Sequence, residues 1–307
     1  MRYEIPVLLL FFNRKDVTLQ AFERIRQAKP TKLYLASDGA RSSVVGEKEE
    51  VEELRSVLLA EIDWDCEVKT LFREENMGCR YAVASAIDWL FEHEERGIIL
   101  EDDCVANASF FTFVQELLVR YKDDQRVGMI AGHNFMGENS VSTSYCFSKY
   151  AACWGWATWR RAWQHMDLEM TWRAGKDWKH VLINRGHQGK DYNFWMLQLR
   201  VMDRQEVSAW DYPWWFSLAT QNQLCIFPKV NLITNVGFGE NATHTSFNTF
   251  FVPSKELDFP LTHPVYMMPD IGFDRMFYKK SNTFMCRLRR MIPIPLKNFL
   301  KRLLFRK

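Results

Sequence analysis

Long apolar runs and closely spaced cysteines are both missing from this sequence of 307 residues. No run approaches the length of about eighteen apolar residues that a membrane-spanning helix requires. The apolar run from Ile5 to Phe12 is too short to span a bilayer and lacks the charged lead and cleavage site of a signal peptide, so it predicts a buried strand. The seven cysteines contain no close pair, which argues against a disulfide framework and a cysteine zinc site. We therefore expect a cytoplasmic protein.

Acidic residues are missing from the last part of the chain. Between Arg275 and Lys307 there are eleven basic residues and no acidic one, although the net charge of the whole chain is only +2. Residues 1–274 accordingly carry 29 basic against 38 acidic residues, a net charge of −9. This asymmetry predicts that the two parts of the chain meet different partners.

The basic tail contains the pattern of an amphipathic helix. Leu296, Phe299, Leu300, Leu303 and Leu304 recur at the spacing of one helical face, and lysines and arginines occupy the other faces. Such a helix lies in the interface of an anionic membrane, which predicts a peripheral position on the inner face of the membrane. The alternative is a terminal helix that packs on the body and keeps its cations in water.

Strand and helix signals alternate through the first half of the chain. Apolar runs at 5–12, 33–37, 66–72 and 97–100 predict strands, and the segments at 13–27, 47–59, 81–91 and 109–121 predict helices, the last with Ser109 as its cap. This alternation predicts an α/β fold, a mostly parallel sheet flanked by helices on both faces. The second half is less regular, with a short strand at 224–227 and no linker. We predict one domain over residues 1–274, with a nucleotide-binding half at about 1–130 and an acceptor half at about 131–274, followed by the basic amphipathic tail at 275–307.

Polar clusters follow three of the predicted strands, at the edge where ligands bind in open α/β sheets. They are Asn13-Arg14, Asp38-Gly39 and Glu101-Asp102-Asp103. Three adjacent acids after an apolar run are costly unless a cation compensates them, and a hard divalent cation shared with a diphosphate would do so. The alternative explanation is a solvated acidic turn.

The segment around the acidic triplet resembles the acidic motif of GT-A-fold (Rossmann-like) glycosyltransferases. Glu101-Asp102-Asp103, followed by Ala108-Ser109-Phe110-Phe111, is similar to the N-acetylglucosaminyltransferase I type, in which such a triplet precedes a Pro/Ala-x-Phe-Phe helix. A later stretch resembles that family's catalytic-aspartate segment in order and approximate spacing: Trp210-Asp211, Trp214, Cys225-Ile226-x-Pro228 and Gly237-Phe238-Gly239. The resemblance covers residues 5–245, and the stretch Cys153–Trp163 and the basic tail depart from it.

The resemblance implies roles for individual residues. Asp103 would bind Mn²⁺ or Mg²⁺, Asp102 would face the ribose or a metal-bound water, and Glu101 would lie near the donor sugar. His244 would be a second metal ligand, unless it is an ordinary loop histidine. The nucleotide pocket would contain Asn13, Arg14, Asp38, Asn76 and Arg80, with Asp38 against the base.

Three of these pocket residues also have a purely structural explanation. Asp38 could cap the turn with Gly39, Arg14 could be a solvated surface cation, and Asn76 could belong to an Asn-x-Gly turn that needs no ligand.

Glycosyl transfer also needs a base that accepts the proton of the acceptor hydroxyl, an effect typically worth ~10²–10⁴-fold in rate. Asp211 is the predicted base, which implies a single displacement with inversion, and Asp191 is the alternative. Asp211 would otherwise be explained as the N-cap of a helix that contains Trp214.

Ten of the twelve tryptophans lie between Trp154 and Trp215. Their rings offer faces on which sugars stack, although the helical spacing of Trp156, Trp159 and Trp163 predicts that most of them belong to the core.

These features predict a metal-dependent inverting glycosyltransferase in bacterial surface polysaccharide synthesis. Its donor would be a nucleotide-diphosphate sugar, with a UDP-sugar preferred, and its acceptor a glycan or a lipid-linked hydroxyl compound; no nucleic-acid partner is expected. A sugar-nucleotide pyrophosphorylase is the first alternative, but it would need a glycine-rich loop where this sequence has Asn13-Arg14-Lys15. A non-catalytic scaffold that binds membranes through the tail is the second.

Overall fold

The computed structural model, which describes residues 3–138, 141–203, 209–237 and 252–283, is built around one large sheet. The strands in these residues are β1 (Val7–Phe11), β2 (Lys32–Ser37), β3 (Glu67–Phe72), β4 (Arg96–Glu101), β5 (Cys104–Ala106), β6 (Val127–Ala131), β7 (Tyr145–Ser148), β8 (Trp156–Trp159), β9 (Leu224–Pro228) and β10 (Ile233–Asn235). The helices are α1 (Lys15–Ala28), α2 (Glu47–Ala60), α3 (Cys79–His93), α4 (Ala108–Arg120), α5 (Arg160–Trp163), α6 (His180–Asn184), α7 (Gly189–Asp203), α8 (Asp211–Thr220) and α9 (Ile271–Ser281).

Eight of the strands form the large sheet in the order β3-β2-β1-β4-β8-β6-β9-β7. β3, β2, β1 and β4 are mutually parallel, and β6 is parallel to β9. β8 runs antiparallel to both of its neighbours, and the edge strand β7 runs antiparallel to β9. β5 and β10 form a separate antiparallel pair. The predicted α/β fold with a mostly parallel sheet is confirmed.

Helices cover both faces of the sheet, because the apolar side chains of β1 alternate between its two faces. Val7 and Leu9 belong to one buried cluster and Leu8 and Leu10 to another. Successive side chains of a strand point to opposite faces, so a strand that is apolar throughout needs cover on both sides. Helices α1, α2 and α4 contribute to the first cluster, and α3 and α5 to α9 contribute to the second.

The start of α4 differs from the prediction. Asn107, not Ser109, caps this helix: its backbone is extended and its side-chain oxygen accepts the N–H of Phe110 over 3.0 Å. Ser109 lies inside the first turn, where its backbone N–H donates to Glu256 over 3.0 Å. The prediction of Ser109 as the cap is therefore wrong. Two polar residues, Asn107 and Ser109, precede the apolar run, and Ser109 binds the distant Glu256 instead of capping the helix.

Most of the tryptophans are core residues, as predicted, but the helical spacing is not the reason, because Trp156 and Trp159 lie in strand β8 and only Trp163 lies in a helix, α5. Trp156 and Trp214 are fully buried, and Trp195 and Trp215 stack with their ring centroids 3.4 Å apart. These rings fill the space between α7, α8 and the sheet. The region therefore supplies mainly core packing, and a contact between one of its rings and a sugar stays a prediction.

Helix α9 crosses the boundary predicted at residue 274. Phe273 and Phe277 both pack against Phe227 of β9, at centroid distances of 4.9 and 5.7 Å. The first residues of the predicted tail thus pack with the body. The amphipathic helix predicted around 296–304 lies outside the described residues. Within the described ranges, no helix is both long and apolar enough to cross a bilayer.

Candidate functional site

A cleft of about 1050 Å³ opens where the parallel strands end. β3, β2, β1 and β4 are neighbours of the same direction, so their carboxyl ends meet at one edge of the sheet. The segments that follow these strands line the cleft, and with them seven of the predicted site residues: Asn13, Arg14, Asp38, Asn76, Glu101, Asp102 and Asp103. The sheet order brings the predicted strand ends to one edge, and ligand binding at this edge stays a prediction.

Arg14 provides positive charge to the acidic triplet. Its Nε donates to Asp102 Oδ2 over 3.0 Å, its Nη2 donates to Asp102 Oδ1, and the same Nη2 donates to Asp103 Oδ2 over 3.1 Å. Burial alone would lower the pKa of Arg14, but the ion pairs with Asp102 and Asp103 outweigh it and raise that pKa. Arg14 is thus neither solvated nor remote: it joins the end of β1 to the end of β4.

Arg14 compensates the negative charge of the acidic triplet only in part. Burial raises the pKa of the Glu101 carboxyl well above its usual range, and the charges of Asp103, Asp102 and Asp211 raise it further. Burial also raises the pKa of Asp102 to about 6, although Arg14 opposes this shift. Carboxyl groups in this state gain from any additional cation that reaches them.

The pair β5 and β10 holds Asp103 from the other side. Asn235 Nδ2 donates to Asp103 Oδ1 over 3.1 Å, and the N–H of Val236 donates to the carbonyl of Asp103 over 2.9 Å. Gly237 follows, and a Cβ at this position would lie 2.1 Å from Asp103 Oδ2. A residue without a side chain is therefore required beside this carboxylate. Gly237 belongs to the segment that resembles the glycosyltransferase family. A glycine in the sequence does not by itself indicate a close approach to Asp103.

Asp38 binds backbone amides of two loops. Its carboxylate accepts the N–H groups of Gly39 over 3.0 Å and Gly78 over 2.9 Å, and that of Met77 as well. Asn76 adds to this connection, because its Nδ2 donates to the carbonyl of Gly39 over 2.7 Å. The turn-capping role of Asp38 is thus present in the structure, and its contact with a nucleotide base stays a prediction.

Asn13 and Arg80 have partners outside the triplet. Asn13 Nδ2 donates over 3.2 Å to Glu47, the buried first residue of α2, which also binds Arg41. Arg80 points away from the cleft, since its Nη2 donates to the carbonyl of Leu168 over 2.5 Å and contacts Glu169. Asn13 follows the end of β1 closely, whereas Arg80 lies in the first turn of α3, and the sequence alone does not show which way either side chain points.

The two candidate bases occupy different surroundings. Asp211 is the first residue of α8, and its charge acts on Glu101 and on Cys153. Asp191 belongs to another network, where it accepts Tyr150 Oη over 2.6 Å and pairs with His187 Nδ1 over 2.7 Å. Burial alone would raise the pKa of Asp191, but these two partners and Lys149 lower it. Asp211 alone of the two is near the triplet.

Sequence reasoning did not single out several residues of the cleft, among them Arg41, Arg73, Trp154 and Asn235. Arg73 follows β3 directly, and its position after a strand would have indicated it. Trp154 and Asn235 come from the second half of the chain, and only the folded chain brings them to the triplet. The predicted metal ligand His244 lies outside the described residues.

The donor set has the chemistry of a site for a hard divalent cation. Asp102 and Asp103 offer carboxylate oxygens at the cleft, and Mg²⁺ or Mn²⁺ is commonly bound by one or two carboxylates together with substrate phosphates. No group of three or more histidine, cysteine or acidic side chains suited to a metal occurs in the described ranges. Asp102 and Asp103 therefore fit a cation that shares its coordination with a diphosphate.

Comparisons with known proteins are limited to structural similarity, because no family model and no curated protein sequence matches this chain. Mannosyltransferase PcManGT from Pyrobaculum calidifontis, solved in complex with GDP-Man and Mn²⁺, is similar over 72% of this chain and 70% of that chain, with 13% identity and a TM-score of 0.36. An apo UDP-glucose pyrophosphorylase is similar over 73% of this chain and 91% of that chain, with 8% identity and a TM-score of 0.37. The apo form of mouse xyloside xylosyltransferase 1 is similar over 70% and 81%, with 10% identity and a TM-score of 0.34. Scores this low carry no functional assignment.

Proposed function

We propose that this protein is a GT-A-type glycosyltransferase that moves a sugar from a nucleotide-diphosphate donor to a hydroxyl group. One observation carries the proposal: the acidic triplet Glu101-Asp102-Asp103 ends β4 inside the cleft to which four parallel strands contribute their carboxyl ends. This edge is where nucleotides bind in open α/β sheets. The resemblance of the triplet and of the Asp211 segment to glycosyltransferases supports the same reaction.

The cleft suits a nucleotide diphosphate in size, and in charge only together with a cation, because its lining carries seven acidic and four basic side chains. Its volume of about 1050 Å³ lies at the upper end of small-ligand sites. Arg14, Lys15, Arg41 and Arg73 contribute to its lining, and guanidinium groups bind phosphate oxygens in a bidentate manner. We propose a UDP-sugar as the donor, on the strength of the resemblance. Residues 1–130 contribute most of this lining, whereas Trp154, Asn235 and Gly237 come from the proposed acceptor half.

A divalent cation is the proposed cofactor, with Asp103 as its direct ligand, Asp102 facing the ribose or a metal-bound water, and His244 as a further candidate ligand. When bound, Mn²⁺ or Mg²⁺ would neutralise the charge that develops on the leaving nucleoside diphosphate. Asn235 orients the Asp103 carboxylate for this role, because its side-chain amide donates to Oδ1 while Oδ2 accepts from Arg14. Arg14 is then available to bind a phosphate oxygen in exchange for a carboxylate.

Asp211 is the proposed base for the acceptor hydroxyl, and the proposed outcome is inversion at the anomeric carbon. The charge of Asp211 acts on Glu101, which the resemblance assigns to the neighbourhood of the donor sugar, and this supports Asp211 as the base. Asp191 is less suited, because both of its oxygens already accept hydrogen bonds from Tyr150 and His187. Trp154 at the border of the cleft offers a ring face for the sugar or the acceptor.

The acceptor is proposed to be a glycan or a lipid-linked hydroxyl compound, in surface polysaccharide synthesis, with the basic tail on the inner face of the membrane.

The pyrophosphorylase alternative has less support, because Phe12, Asn13 and Arg14 connect β1 to α1 without a glycine that would let a backbone cradle phosphates.

The experiment that tests the proposal compares reaction products. The purified protein, with Mn²⁺, is given UDP- and GDP-sugars together with short glycans, and products are identified by mass spectrometry. A transferase yields the nucleoside diphosphate and an extended glycan, or slow donor hydrolysis without acceptor. Formation of a nucleoside triphosphate after addition of pyrophosphate would instead identify a pyrophosphorylase. No turnover of any donor under either condition would favour the scaffold.

A further inference from the structure

An exposed apolar segment precedes and begins helix α9, far along the chain from the cleft residues. Val265, Tyr266, Met268 and Ile271 are 86, 77, 70 and 65% exposed. Single exposed apolar residues are ordinary, but a cluster of four within seven residues marks a contact surface. We call these four side chains, together with Arg275 and Lys279, the α9 patch.

The backbone beneath the α9 patch is fixed. The N–H of Asp270 donates to the carbonyl of Phe147 in the edge strand β7 over 2.8 Å, and the Asp270 carboxylate caps α9 through the N–H of Phe273 over 2.8 Å. Met267 turns inward and packs on the core beneath. The four exposed side chains are therefore held outward by an anchored segment, and they cannot bury themselves without breaking these bonds.

Positive charge accompanies the apolar side chains. On α9, Ile271, Arg275 and Lys279 recur every four residues and are all exposed, so they share one face of the helix. The acids within residues 265–283 are Asp270, which caps the helix, and Asp274, which is buried. The chain beyond residue 283 adds eight basic residues and no acid. The sequence from Val265 onward is thus rich in apolar and basic residues.

We propose that the α9 patch binds the surface of an anionic lipid bilayer, with Val265, Tyr266, Met268 and Ile271 buried among the headgroups. Two effects strengthen binding at such a surface: the apolar side chains are removed from water, and the neighbouring lysine and arginine are attracted to anionic lipid. A second copy of the chain fits less well, because a two-fold contact would bring Arg275 and Lys279 close to their own counterparts. The proposal does not depend on the assigned transferase activity.

The test uses the full-length chain and two kinds of vesicles, one of phosphatidylglycerol and phosphatidylcholine in equal parts and one of phosphatidylcholine alone. The apolar variant carries Val265→Ser, Tyr266→Ser, Met268→Ser and Ile271→Ser. Its matched control carries Val45→Ser and Val119→Ser, which are exposed apolar residues on other surfaces. We expect the apolar variant to bind mixed vesicles about tenfold or more weakly, because it loses the apolar burial, and the control to bind like the unaltered chain.

A second variant, Arg275→Gln with Lys279→Gln, measures the electrostatic part. Each cation near an anionic surface contributes about a fivefold gain in binding, so this variant should lose affinity for the mixed vesicles but not for phosphatidylcholine. Equal binding of the apolar variant and the unaltered chain to mixed vesicles would overturn the proposal, since other segments would then suffice. A dimer in sedimentation velocity that the apolar variant dissociates would also overturn it, in favour of self-association. The thermal shift caused by a nucleoside diphosphate should be the same in all variants, which keeps a failure here separate from a failure of the transferase assignment.

Discussion

Arg14 and Asp102 form a bidentate ion pair that joins the ends of two neighbouring parallel strands. The Nε of Arg14 lies 3.0 Å from Asp102 Oδ2, and the side chain of Asp102 is only 9% exposed. A buried charge that loses its partner is strongly destabilising, because neither water nor another side chain replaces the interaction. The pair therefore supports the cleft before any ligand arrives.

The first prediction follows from this pair. Arg14→Gln should lower the free energy of unfolding by about 3 kcal/mol, because Asp102 and Asp103 are left with less compensation. Arg24→Gln on the exposed face of α1 is the matched control, and it should change the free energy by less than about 0.5 kcal/mol. Urea unfolding followed by circular dichroism measures both. Equal stability of the two variants would mean that the ion pair contributes nothing to the fold.

The second prediction separates the two candidate bases. Asp211→Asn should keep donor binding and lose transfer by about 10²-fold or more, because the acceptor hydroxyl no longer has a base. Asp191→Asn should instead lower the thermal stability, since Asp191 pairs with His187 and accepts a hydrogen bond from Tyr150. Steady-state kinetics and thermal unfolding on both variants distinguish these outcomes. Retention of the anomeric configuration, seen by NMR of the product, would refute the single displacement.

The third prediction concerns pH and a carboxyl group far from the cleft. Burial raises the pKa of Asp274 to about 6, against the opposing effects of Ser148, Lys149 and Arg185. In the unfolded chain this pKa is about 3.9, so the folded state binds the extra proton. The contribution of Asp274 is therefore fully present below about pH 4 and is lost as the pH rises through about 6.

Asp274→Asn removes this titration while its side-chain oxygen can still accept the hydroxyl of Ser148. Relative to the unaltered chain, the variant should gain up to about 3 kcal/mol of stability between pH 4 and pH 7. Asp123→Asn, a change at an 87% exposed side chain, serves as control and should give no such trend. Denaturant unfolding at a series of pH values measures the difference. A gain in the opposite direction, or none, would contradict the raised pKa.

The sequence predicted the parts of the molecule that depend on local pattern. The continuous apolar run before Asn13 becomes the buried strand β1, and the run before Glu101 becomes β4. The edge at which these strands end could also be predicted, because parallel neighbours share it. The position of the acidic triplet in the cleft follows from that rule alone.

Contacts between distant segments could not be predicted. β8 lies between β4 and β6 and is antiparallel to both. It follows Trp154, which lines the cleft. Asn235 reaches Asp103 only because β10 pairs with β5, which is too short to give a sequence signal. Arg80 is directed away by Leu168 and Glu169, which lie almost ninety residues further along the chain. Each of these outcomes depends on tertiary pairing, and periodicity reports only local structure.

Calorimetric titration of UDP and GDP in the presence of Mn²⁺, repeated with a chelator, tests the central claim most directly. The unaltered chain and the exposed-site control Asp123→Asn should bind a nucleoside diphosphate with Mn²⁺ and lose most of that affinity when the chelator removes the cation. Asp103→Asn should fold normally and lose the metal-dependent part of the affinity, because Asp103 is the proposed ligand. Metal-dependent binding of equal strength in Asp103→Asn and in the unaltered chain would contradict the assignment of the acidic triplet as the cation and diphosphate site.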